Sequence, residues 1–111
     1  MEIRGIKYEK AYRQGEILIF KVKSIPKTYN APKPILNGVI REGEKEGHEH
    51  KVEGSGQLAM FGEDEGVIKV SGGKATITHP EHKDIKLPEG EYVVKVQKEA
   101  TGKHSHQSVK D

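Results

Sequence analysis

Apolar positions along this chain fall in short runs of β-type spacing. Ile17, Leu18, Ile19 and Phe20 form a continuous run that fades into the alternation Lys21, Val22, Lys23, which predicts a well-buried strand after Gly15. Pro26, Pro32 and Pro34 forbid a regular ladder between residues 24 and 34, leaving a loop or one edge segment. Residues 35–40 predict a second short strand, and residues 41–47 are charged and turn-like. Over residues 48–53 the alternation is clean: His48, His50 and Val52 share one face, and Glu49, Lys51 and Glu53 share the other. Gly54, Ser55 and Gly56 then predict a turn, residues 57–61 a short strand, and residues 62–66 an acidic loop.

The next segment predicts a hairpin. Residues 67–70 and 75–79 flank Ser71, Gly72, Gly73 and Lys74, and a Gly-Gly pair suits a two-residue turn with positive φ at both central positions. That register sets Ile68 opposite Ile77 and Gly66 opposite His79. Residues 85–87 and 92–96 predict another hairpin around Pro88, Glu89 and Gly90, with Tyr92, Val94 and Val96 inward. With no amphipathic helix and no internal repeat, the expected fold is all-β: a single small barrel or sandwich of about eight short antiparallel strands. Residues 1–98 form the expected β-domain, and residues 99–111 a polar tail.

Composition narrows the function classes. The 111 residues fit one domain, and hydrophobic residues are only 32% of them, so the core must be thin. A bound metal or subunit association would compensate, and a homodimer is the expected assembly. The net charge of +2, from 19 basic and 17 acidic residues interspersed along the chain, gives no footprint for nucleic acid. Aromatic residues, at 5%, are too few for base-stacking platforms. Abundant Lys and Glu with few Asn and Gln resemble thermophile composition. The absence of Cys excludes a disulfide framework, a thiolate nucleophile and a cysteine zinc site. No apolar run reaches the ~18–20 residues of a membrane span, and residues 1–10 lack a signal-peptide apolar region, so a cytoplasmic location is expected.

The chemistry lies in the histidines. All six are paired: His48 with His50, His79 with His82, and His104 with His106. On a strand, residues i and i+2 project the same way, so His48 and His50 are able to approach one ion. His79 at a strand end and His82 in the following turn bring two more imidazoles, with Glu81 between them. Two such elements meeting across a sheet make a site for a divalent metal of the zinc, iron, nickel or manganese class. Glu81 and Glu44 are the candidate carboxylates, as ligand, orienting partner or general base, whereas Glu49 and Glu53 face away from the histidines. His104 and His106 sit in the polar tail and read as solvent-exposed. No phosphate loop and no serine-nucleophile context occurs.

These residues carry two resemblances. Gly43, His48 and His50 followed by Pro88, Glu89 and Gly90 resemble the motifs of the cupins, which implies a cupin-like architecture. Gly43-Glu44, Gly47-His48-x-His50, His79-x-Glu81-His82, Leu87-Pro88-x-Gly90-x-Tyr92, Gln97-x-Glu99 and Val109-x-Asp111 resemble the pattern of a family of small uncharacterised proteins of prokaryotes and their phages. That resemblance implies no activity, but it singles out the same two histidine pairs. Three functions compete: a metal-binding β-domain with an open coordination position for a small molecule, with or without cupin-like oxygenation, isomerisation or hydrolysis; a structural or assembly module of viral or mobile-element type, stapled by its ion; and a metal-free protein whose histidines line a polar pocket or respond to pH.

Overall fold

A computed structural model of the chain describes residues 2–3, 6–26, 32–42, 49–62 and 64–97. The described residues are all-β, and none lies in a helix long and apolar enough to cross a membrane. Strands β1 (Glu2–Ile3) and β2 (Ile6–Lys7) form a small antiparallel pair. The other eight belong to one antiparallel sheet: β3 (Lys10–Gln14), β4 (Ile17–Val22), β5 (Lys33–Pro34), β6 (Val39–Glu42), β7 (Glu49–Met60), β8 (Glu65–His79), β9 (His82–Leu87) and β10 (Gly90–Val96). The main path runs β3-β4-β10-β8-β7-β5, with β6 on β7 and β9 on β8.

Two long strands organise this sheet. The N-terminal half of β8 pairs with β10 and its C-terminal half with β9, while β7 runs beside both halves. The bend is visible in the β7–β8 register. Gly54 pairs with Ala75 and Gly56 with Val70, so Ser55 alone stands opposite residues 71–74. The backbone needs glycine there: Gly54 has φ +89°, and a Cβ on it would come within 2.6 Å of the Lys74 carbonyl oxygen.

Both glycine clusters therefore correct the sequence expectation. Residues 71–74 bulge within a continuous strand instead of reversing it, and residues 54–56 bend β7 instead of ending it. Ile68 pairs with Leu58 and Tyr92, and Ile77 with Val52 and Ile85, so the two isoleucines are not partners. Gly66 lies opposite Met60 and Val94, not His79. Gly72, at φ +76°, meets in the bulge the same requirement that a tight turn would place on it, whereas Gly73 is needed for space, since a Cβ there would come within 2.6 Å of Ser55 Oγ. The turn after β9 is corrected in the same way. It leads from β9 into β10, yet β10 pairs with β4 and β8 rather than with β9. Among the described residues of the proline-rich stretch, Lys33 and Pro34 join the sheet, at its edge on β7. The strand expected over residues 35–40 begins later, at Val39.

The halves of the bent sheet share one apolar core. Ile17, Ile19, Ile68, Tyr92 and Val94 come from one half, and Val52, Ala75, Ile77 and Leu87 from the other. Tyr92, Val94 and Val96 are inward, as the alternation predicts. Because β10 is central, its opposite face is covered too: Val93 is buried beside Phe20 and Val67, and Lys95 is held by Glu65 at 2.7 Å. Among the described residues the sheet is not closed into a barrel, and backbone pairing stops at β3 on one side and β9 on the other. Side chains span that seam instead.

A histidine cluster at the seam

Gln14, the last residue of β3, is 1% exposed and ties the seam. Its amide nitrogen donates to the Ile77 carbonyl of β8 and the Lys83 carbonyl of β9, each at 2.9 Å. A buried primary amide needs such partners, because an unmatched polar group in the interior costs about 1–3 kcal/mol. Gly15 and Glu16 then form the two-residue turn that brings Ile17 opposite Gln14, with Gly15 at φ +57°.

His50 of β7 reaches the same point. It is 1% exposed, as its shared face with Val52 predicts. Both ring nitrogens are engaged: Nδ1 lies 2.9 Å from Gln14 Oε1, and Nε2 lies 3.0 Å from Glu16 Oε1. Burial pushes the His50 imidazole below its ordinary pKa. The Glu16 carboxylate opposes that shift, and the neighbouring His79 and His82 add to it.

His79 ends β8 and His82 opens β9, opposite each other across the turn at Pro80 and Glu81. With His50 they make a cluster of three rings. The centroids are 4.4 Å apart for His50 and His79, 4.5 Å for His79 and His82, and 5.9 Å for His50 and His82. The His79 ring accepts the Glu81 backbone N–H at Nδ1, 3.0 Å away, so a neutral His79 carries its hydrogen on Nε2. The His82 ring packs on Gly15, where a Cβ would meet His82 Nε2 at 2.9 Å and His50 Cε1 at 3.4 Å.

Three of the four expected ligands are thus near one another. The fourth, His48, lies outside the described residues, as do Glu44, His104 and His106. Glu81 is exposed at the turn and orients His79 through its backbone. Glu53 faces away, as expected, and accepts a hydrogen bond from Thr78 Oγ1. Among the described residues no group of three His, Asp or Glu side chains stands ready-arranged around an ion. The ring nitrogens described above are turned to protein partners instead.

Sequence reasoning missed Gln14 and Glu16. Neither has a motif; the available signal was Gly15, a turn glycine between a short alternating segment and an apolar run.

No curated protein and no solved structure matches the chain. A family model of an uncharacterised domain matches residues 13–97, a span that contains Gln14, Glu16, His50, His79 and His82. The chain belongs to the family described as Domain of unknown function (DUF8820).

Proposed function

We propose that this domain binds one divalent transition metal at the seam, through His50 and His82 with the Glu16 carboxylate, and His79 as a third imidazole. The observation that carries this reading is the meeting of imidazoles from β7, β8 and β9 beside a carboxylate from the β3–β4 turn. Mixed imidazole and carboxylate sets suit zinc, iron, cobalt, nickel and manganese. Burial disfavours a charged His50, and a neutral imidazole is the form that binds metal. An ion there also supports a structural role. It would link the β3–β4 turn to β7, β8 and β9 where backbone pairing ends, and would add stability to a domain with a thin core. His79 would join only after its Nδ1 leaves the Glu81 amide.

The test is titration of the metal-stripped full chain with zinc, cobalt, nickel and manganese, one at a time, by calorimetry. One-to-one binding is expected. At a free-metal concentration a hundredfold above Kd, the folded state should gain about 2.7 kcal/mol. His82→Ala should weaken binding at least tenfold, whereas the double variant His104→Ala, His106→Ala should leave it unchanged. Because His50 is buried and its replacement risks misfolding, the half-buried His82 is the decisive position. Binding that survives in His82→Ala, or that disappears with the tail histidines, refutes the seam as the site.

A further inference from the structure

The hydrogen bonds at the seam fix which atom of His50 is offered. Gln14 Nε2 lies against two backbone carbonyls, which only accept, so the orientation of the amide is settled. The atom facing His50 Nδ1 at 2.9 Å is therefore the amide oxygen, also an acceptor, and Nδ1 must carry the hydrogen. In a neutral ring Nε2 is then bare. It lies 3.0 Å from Glu16 Oε1, which is an acceptor when ionised. With a proton on Nε2 the two atoms form an ion pair, and a metal ion that takes the place of that proton is bonded by both of them. Ligand atoms at ~2.0–2.2 Å from one zinc ion lie roughly 3.0–3.5 Å apart, so the observed spacing suits a shared ion.

Resting on the metal reading above, we infer that His50 Nε2 and a Glu16 carboxylate oxygen are a preset pair of ligand atoms, and that Gln14 is the positioning residue that holds the His50 Nδ1–H. Gln14 takes the place that a carboxylate or backbone carbonyl usually holds behind a metal-bound imidazole. It is itself held at both amide hydrogens, so the ring cannot exchange tautomers without breaking the link across the seam. Gly15 leaves space beside the His50 ring, and a Cβ there would meet both His82 Nε2 and His50 Cε1. Neither Gln14 nor Glu16 stands in the histidine motifs that the sequence displays.

The experiment is long-range proton–nitrogen correlation NMR on the full chain with nitrogen-15 histidine, metal-free and after adding zinc. In the metal-free protein the His50 ring should carry Nδ1–H. Zinc should shift the Nε2 resonance and leave Nδ1 protonated. Glu16→Gln should weaken zinc binding about ten- to a hundredfold without changing the metal-free tautomer. Gln14→Ala should release the tautomer and weaken zinc binding by a similar factor. The wild-type spectra need no variant, so a Gln14→Ala protein that fails to fold does not remove the test. An Nε2–H tautomer in the metal-free protein overturns the inference, as does Glu16→Gln binding zinc as tightly as the wild type. Zinc bound with Nε2–H retained on His50 overturns the ligand pair alone. A protein that keeps Nδ1–H and binds no zinc overturns the proposed function and the ligand pair with it.

Discussion

Ile77 and His50 lie at nearly the same depth, 0% and 1% exposed, yet opposite physics holds them there. Ile77 belongs to the core shared by the two halves of the bent sheet, where stabilisation scales with apolar area and has no direction. His50 belongs to the seam, where each nitrogen needs its own partner at hydrogen-bond distance. The core tolerates many side chains of similar volume, whereas the seam tolerates few, because each replacement leaves a named donor or acceptor unmatched. Depth alone therefore does not distinguish packing from chemistry in this domain.

The largest expected effect breaks the core and spares the seam. Ile77→Ala removes a fully buried side chain between Val52 and Ile85 and should cost about 2–5 kcal/mol in urea unfolding. The Ile77 backbone carbonyl that Gln14 uses stays in place. Zinc affinity per folded molecule should therefore be unchanged in calorimetry at a temperature where the variant is folded. An affinity that falls together with stability would show that core and seam are one cooperative unit.

The same contrast explains what the sequence made legible. Inward faces were readable because alternation is a local property: His50 with Val52, and Tyr92 with Val94 and Val96, lie inside as expected. Ile68 and Ile77 reach the same core although their predicted pairing is wrong, since burial does not depend on the partner. Register was not readable, because Gly72 and Gly73 satisfy a bulge as well as a reversal. Strand β3 was missed because its inward end is Gln14, a polar residue that looks like surface until two carbonyls from distant strands are seen to receive it. Glu16 was missed for a related reason: a carboxylate in a turn is ordinarily solvated.

A smaller effect sharpens the contrast from the core side. Tyr92 is fully buried with its hydroxyl donating to the Pro88 carbonyl, and its pKa is pushed up to about 12, first by burial and then by Tyr12. A raised pKa means that the fold favours the neutral phenol over the phenolate. The resulting stabilisation is complete below pH ~10, where an unfolded tyrosine is still protonated, and is lost as the pH rises toward the folded value. Wild type should lose up to about 3 kcal/mol between pH ~10 and ~12 relative to Tyr92→Phe. Melting curves of both proteins across that range measure the difference, and parallel alkaline limbs would show that Tyr92 does not titrate with unfolding.

The smallest expected stability effect carries the most specific consequence. Gly15→Ala places a residue with a Cβ at φ +57°, which costs roughly 1–2 kcal/mol by itself. The added methyl would sit 2.9 Å from His82 Nε2 and 3.4 Å from His50 Cε1, so the His82 ring has to give way. His82 is half-buried at the start of β9, so most of the strain should appear as lost ring geometry rather than as unfolding. Gly15→Ala should therefore weaken zinc binding at least tenfold while lowering the urea midpoint less than Ile77→Ala does. The two variants together form a crossed pair: one loses stability and keeps the ion, the other keeps most of its stability and loses the ion. A Gly15→Ala protein with wild-type affinity would mean that His82 contributes no ligand atom beside Gly15, and that the ion sits elsewhere on the cluster.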